Sequence, residues 1–259
     1  MKIFETYPTL GNGIARLSNL LSGNCFAHHG IQRSGTNYLL RILIDLKLWP
    51  LNAFDPQRTN PKHKHFRWQS DKSSIKMHDY YKNDITPPDL NGLNSIAGYP
   101  VATKHLVIFK PPEPWLASIV NWGIACGWHH SVEEAANSEK LMDALGEYDA
   151  YYRFWQEIAE ANRNRAVMLC YDDVFERPLL VADALDVLGI KYNSKHLPRN
   201  LGRYPEIKMS RANRTSYIDK NTRLRIKSVV FNYDFQFSGE PCRTNADYPG
   251  SWPESRPSK

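Results

Sequence analysis

The chain has 259 residues, 42% of them hydrophobic and 12% aromatic, with 33 basic against 27 acidic side chains for a formal charge of +6. That length and apolar content suit one large packed domain and exclude a chain disordered throughout. The charge excess is modest and dispersed, so it favours an anionic ligand without itself pointing to nucleic acid.

The N-terminal stretch MKIFETYPTLGNGIARLSNLL lacks the apolar core of a signal peptide. No apolar run approaches the roughly 20 residues that span a bilayer. The four cysteines (Cys25, Cys126, Cys170 and Cys242) are far apart and form no CxxC pair, which predicts neither a zinc site nor a redox motif. Cys25 and Cys170 lie in apolar runs and are expected to be buried thiols in a reducing compartment. The expectation is a cytoplasmic protein without a membrane span.

Along the chain, Asn24 to His29 reads as a strand. Thr36 to Leu48 reads as a helix, with Tyr38, Leu39, Ile42, Leu43 and Leu46 at helical spacing. From Pro50 to Gln69 the chain is polar, basic and proline-containing, a long loop of the kind that often carries function. Ser74 to His78 (SIKMH) predicts a short strand and His105 to Phe109 (HLVIF) a stronger one. Pro112 to Cys126 predicts a helix with proline in its first turn. Glu133 to Asn162 is helical in composition, Ala166 to Tyr171 predicts a buried strand, and Leu179 to Leu188 predicts a helix closed by Gly189. From Glu240 the chain is rich in Pro and Ser, with Gly and Trp, and reads as an extension or strap rather than a second domain. Continuous apolar strands alternating with helices predict an α/β fold with a parallel sheet flanked by helices, in which ligands bind beyond the C-terminal strand ends. The whole of 1–259 is expected to form a single domain, with 240–259 as its extension.

Four segments at those strand ends carry candidate chemistry. In GIQRSGTNYLL, Gly30 and Gly35 have the spacing of the phosphate loop G-x-x-x-x-G-K-[ST], but Thr36 and Asn37 stand where Lys and Ser or Thr belong. The backbone cradle and the positive helix end need neither side chain. Their absence argues against ATP or GTP hydrolysis and leaves an anion cradle containing Arg33, whose planar fork suits oxyanions. In HLVIFKPPEPWLASI, Lys110 leaves a strand and Ser118 follows eight positions later, so the two could grip one phosphate. In SSIKMHDYY, Lys76 and His78 share a face of a strand, and a histidine can take a proton near neutral pH. In AVMLCYDDVFERP, Tyr171, Asp172 and Asp173 follow a strand, where the two aspartates could cap the helix entry. Each segment alone has an ordinary structural explanation: a strand-to-helix turn, a solvated lysine, a surface histidine, a cap.

Together, in this order, the segments resemble the sulfotransferases that use 3'-phosphoadenosine 5'-phosphosulfate (PAPS), a soluble cytosolic or bacterial-type branch. GIQRSGTNYL is similar to the family's 5'-phosphosulfate loop, Lys110 to Ser118 to its 3'-phosphate motif, KMH to its Lys-x-His strand end, and YDDVFERP to its Tyr-Glu-Asp-Leu segment. The resemblance covers roughly Cys25 to Ile190. It implies a P-loop NTPase-like three-layer sandwich and metal-independent, in-line sulfuryl transfer with PAP (3'-phosphoadenosine 5'-phosphate) as product. Gln32, Arg33, Ser34, Gly35, Thr36 and Asn37 would hold the 5'-phosphosulfate, Lys110 and Ser118 the 3'-phosphate, and Tyr171 would lie beside the donor. Arg33 and Lys76 would balance sulfuryl charge, and His78 would deprotonate the acceptor.

Three departures stand out. Lys110 replaces the usual arginine, KPPEP carries an extra proline, and no clean copy of the C-terminal glycine-containing loop is present. Arg211 and Arg214 in MSRANRTSYIDK stand in about its place. Other branches use a glutamate as base. The acceptor would be a small molecule, saccharide or lipid bearing a hydroxyl or amine, and nucleic acid is not expected, since KHKHFRW is short and isolated. Two alternatives stay open. One is a P-loop small-molecule or nucleotide kinase, with Asp172 or Asp173 as magnesium ligand. The other is a non-catalytic nucleotide-binding relative. Trp68, Trp115, Trp122 and Trp128 could wall an acceptor site, but most are expected in the core.

Overall fold

The computed structural model describes residues 8–55, 60–66, 89–127, 129–196 and 219–239. Within them, β1 (Phe26–His29), β2 (Lys104–Phe109) and β3 (Ala166–Cys170) form a parallel sheet in the order β1-β2-β3. The helices are α1 (Pro8–Ser22), α2 (Thr36–Asp45), α3 (Leu90–Ala97), α4 (Pro112–Ala125), α5 (Val132–Ala135), α6 (Ser138–Ala161), α7 (Tyr171–Glu176), α8 (Leu180–Val187) and α9 (Lys220–Phe231).

The strands are near-continuous apolar runs because both faces are covered. Alternate side chains serve two separate cores. Ala27, Val107, Phe109, Ala166 and Met168 pack with Trp115 and Leu116 of α4 and Tyr148, Tyr152 and Trp155 of α6. Phe26, Leu106, Ile108, Val167 and Leu169 pack with Leu39, Ile42 and Leu43 of α2 and Val181 and Leu185 of α8. The helices that follow β1 and β2 therefore leave to opposite faces of the sheet. That divergence opens a crevice beyond the carboxyl ends of two adjacent strands.

The outer edge of β1 is sealed by chain that is not itself a strand. Leu51 N–H donates to the Phe26 carbonyl at 2.8 Å, and Gly30 N–H donates to the Lys64 carbonyl at 3.1 Å. Between them the Asn52 side chain acts as a backbone unit: its Oδ1 accepts from His28 N–H at 3.1 Å and its Nδ2 donates to the His28 carbonyl at 2.7 Å. Residues 60–66 are thereby drawn alongside the end of β1.

Several elements differ from expectation for local reasons. The helical stretch over Glu133 to Asn162 breaks at Ala136–Asn137 into α5 and α6. Ser131 caps the first, accepting from Glu134 N–H, and Asn137 caps the second, accepting from Glu139 N–H. Tyr171 starts α7 rather than ending β3. Helix α3 has both an Asp89 cap and a left-handed Gly98 at its end, and α9 has an Asp219 cap; these caps and α1 were not read from the sequence. Gly189 (φ 58°) follows α8 as predicted, and Lys104 Nζ donates to its carbonyl at 3.2 Å. Cys25 and Cys170 are half-buried rather than fully buried, and Cys126 is exposed. Trp115 is core, Trp122 only half-buried, and Trp68 and Trp128 lie outside the described residues. The SIKMH strand and the extension from Glu240 also lie outside them. Among the described residues no helix is long and apolar enough to cross a membrane.

Candidate functional site

The loop between β1 and α2 owes its shape to two glycines. A Cβ on Gly30 would stand 2.5 Å from the Ile108 carbonyl oxygen and 2.5 Å from Ser34 Oγ, so only a glycine lets this backbone run against β2. Gly35 has φ 102°, and a Cβ there would lie 2.3 Å from Tyr171 Cδ2. Between them Arg33 holds a left-handed backbone (φ 70°), the sort of local strain that persists where surrounding structure enforces it.

That enforcement comes from aromatic side chains behind the loop. Tyr152 hydroxyl accepts from Ile31 N–H at 3.1 Å and donates to the Ile108 carbonyl at 3.0 Å. Trp115 Nε1 donates to the Gln32 carbonyl at 2.8 Å. Tyr148 hydroxyl donates to the Lys110 carbonyl at 2.8 Å. Three side chains of α4 and α6 thus tie both strand-end loops to one rigid face.

The loop interior is built to receive acceptor oxygens. Helix α2 has Gly35 as N-cap, which supplies no side-chain cap, so its first-turn N–H groups turn their partial positive charge toward the loop. Ser34 Oγ is fully buried and has no hydrogen-bond partner among the described residues, a cost that a bound oxygen would remove. Thr36 is buried beside it, and Asn37 is exposed at the mouth, where its Oδ1 accepts from Lys64 Nζ.

Two cations lie near this loop. Lys110 Nζ lies 3.4 Å from Ser118 Oγ and 4.6 Å from the centroid of the Tyr171 ring. Ser118 Oγ in turn donates to the Pro114 carbonyl at 2.8 Å, one turn back on α4. The Arg33 guanidinium stands 5.0 Å over the Trp122 ring. Burial draws the Lys110 ammonium down to about 8, the nearby Arg33 charge adds to that, and Asp172 opposes it. Burial also lowers Arg33, opposed by Cys126 and Tyr171. The two half-buried cations repel each other, and an anionic ligand would relieve both.

Of the residues singled out in the sequence, Gln32 to Asn37, Lys110, Ser118 and Tyr171 converge at the ends of the three strands. Lys76, His78, Arg211 and Arg214 lie outside the described residues. KHKHFRW belongs to the long loop expected over Pro50 to Gln69. Here Lys64 reaches Asn37, and His65 Nδ1 lies 2.8 Å from the Gly30 carbonyl. A carbonyl only accepts, so His65 donates through Nδ1–H. Gly30 N–H donates to Lys64 O and Gly30 O accepts from the His65 ring, contacts that no periodicity in the sequence announces.

No protein-family model, curated protein or solved structure matches the chain.

Proposed function

We propose that the protein is a PAPS-dependent sulfotransferase with a P-loop NTPase-like three-layer arrangement, moving a sulfuryl group to a hydroxyl or amine of a small-molecule, saccharide or lipid acceptor. The observation that carries this reading is a glycine-shaped loop, with Gly30, Gly35 and Arg33 ahead of α2 and with Thr36 and Asn37 where a nucleotide hydrolase carries Lys and Ser or Thr. A nucleotide hydrolase needs that pair for its γ-phosphate and Mg²⁺. A donor that is already an activated sulfuryl anhydride needs only positioning and charge stabilisation.

PAPS supplies the activated sulfuryl group. The first-turn N–H groups of α2, with Ser34 Oγ and Thr36, hold the 5'-phosphate oxygens. Arg33 balances negative charge as it builds on the bridging oxygen. Lys110 and Ser118 hold the 3'-phosphate from the next strand end, and Tyr171 lies between the two grips, its ring against Gly35 and under the Lys110 ammonium. Lys64 stands at the mouth beside Asn37. The acceptor proton goes to His78 or to an acidic residue.

Calorimetric titration with PAP, against ADP and Mg²⁺–ATP, tests the reading. Micromolar PAP binding that weakens sharply when the 3'-phosphate is removed supports it. Absence of PAP binding, or preference for Mg²⁺–ATP, overturns it in favour of a kinase.

A further inference from the structure

Arg33 raises a positional problem. Its backbone is left-handed, its side chain is long, and Lys110 repels it. One face of α4 runs along the whole site. Trp115 donates to Gln32 O, Ser118 meets Lys110 one turn later, and Trp122, four residues further, carries Arg33 over its ring at 5.0 Å. Residues 115, 118 and 122 share a helix face because they are three and four apart. One rigid helix therefore contacts both cations and the loop between them.

We propose that Trp122 is a positioning residue for sulfuryl transfer: its indole face holds the Arg33 guanidinium against Lys110 repulsion, at the place where charge develops. This rests on the sulfotransferase reading above. Guanidinium is weakly hydrated and planar, so an indole ring face is a good seat for it, and tryptophan is the best of the aromatic rings for this contact. A packing role alone does not account for the residue type. Trp122 Nε1 is buried and has no hydrogen-bond partner among the described residues, so phenylalanine would fill the space without stranding a donor. The ring's electron-rich face is the property that tryptophan adds.

The test compares Trp122→Phe, which keeps an aromatic face, with Trp122→Leu, which keeps apolar bulk alone. Three quantities are read: PAP affinity, the rate of sulfate release from PAPS, and the Arg33 side-chain Nε–Hε resonance, assigned by its loss in Arg33→Lys. In sulfate release water attacks sulfur, the bond from sulfur to the bridging phosphate oxygen breaks, and a proton goes to solvent, so no acceptor need be known. The expected result is an Arg33 Hε signal shifted upfield by the indole in the wild type. Trp122→Leu should remove that shift and lower kcat roughly tenfold, the range of a partly desolvated cation–π contact. Its PAP affinity should stay within about threefold. Trp122→Phe should keep at least about a third of the wild-type rate.

Three results would overturn the proposal. They are an unshifted Arg33 Hε in the wild type, a Trp122→Phe loss as large as that of Trp122→Leu, and a Trp122→Leu effect confined to PAPS KM. A wild type that binds PAP but gives any of these sinks the role of Trp122 alone. A wild type that binds no PAP sinks the sulfotransferase reading with it.

Discussion

Three histidines lie fully buried in the sheet, and each should make the protein sensitive to mild acid. His105 Nε2 lies 2.8 Å from Asn94 Oδ1, while Asn94 Nδ2 donates to the Val101 carbonyl at 3.1 Å. That orients Asn94 and makes His105 Nε2 a donor, so His105 Nδ1 accepts from His29 Nε2 at 3.0 Å. Adding a proton to His105 would set two N–H groups against each other. His28 Nδ1 faces Asn52 Oδ1 at 2.9 Å, and that oxygen also accepts from His28 N–H. Burial is the first cause that lowers each of them, to about 3 for His28 and His105 and well below the ordinary 6.5 for His29.

The sign of the pH dependence follows directly. Above 6.5 these histidines are neutral in both folded and unfolded chains. Below it the unfolded chain takes up protons that the folded chain refuses, so stability is lost as pH falls toward 3. From about pH 7.5 to about pH 5.5, each histidine costs on the order of 1 kcal/mol, and the three together about 4 kcal/mol. For a chain of this size that lowers the melting temperature by roughly 10 °C. Scanning calorimetry at matched ionic strength reads it, and the slope of stability with pH near pH 5.5 should correspond to between about two and three protons bound on unfolding. A melting temperature unchanged over that interval, or a slope under about one proton, would refute the claim that all three rings are buried and neutral.

Arg33→Ala should reduce sulfuryl transfer by about a hundredfold or more, as loss of a transition-state charge partner does, measured as sulfate released from PAPS. Gly35→Ala combines a left-handed backbone with a clash against Tyr171; it should cost about 1–3 kcal/mol by denaturant unfolding and abolish PAP binding. Lys110→Ala should weaken PAP binding about 10- to 100-fold, the worth of a charged hydrogen bond. Because Lys110 is drawn down to about 8, wild-type PAP affinity should fall as pH rises through that value. Lys110→Arg should bind PAP with a flat profile there; an equally steep profile in Lys110→Arg assigns the titration elsewhere. For the base, His78→Ala should lower turnover at least tenfold while PAP affinity nearly holds; unchanged turnover excludes His78 as the base.

Much of the fold was legible because both-face burial writes itself as apolar runs. HLVIF and AVMLCY are strands within a residue of expectation, and the 3.6-residue pattern of Tyr38, Leu39, Ile42 and Leu43 locates α2, which ends at Asp45 rather than at the expected Leu48. Helix α9 was not legible, since KNTRLRIKSVVF buries only Thr222 and Ile226 and has little apolar periodicity. The α5–α6 break was hidden because Ala136 and Asn137 read as helix interior, while the Asn137 side chain in fact caps the helix that follows. His28, His29 and His105 carry polar rings inside apolar strands, and only their partners Asn52, Asn94 and Trp155 explain why they are tolerated.

The candidate site divides along the same line. The sequence by itself marks the cradle, because Gly30, Gly35 and the start of α2 lie within about eleven consecutive residues, while β2 and the aromatic side chains of α4 and α6 hold its shape. It also placed Lys110 and Ser118 on one strand end and the helix after it. Tertiary structure alone decided what surrounds them. The diverging α2 and α4, the Tyr171 ring against Gly35, Trp122 under Arg33, and Lys64 and His65 beside Gly30 join residues from well-separated parts of the sequence. Such contacts depend on how strands pair and helices pack, and the chain carries no local pattern that encodes them.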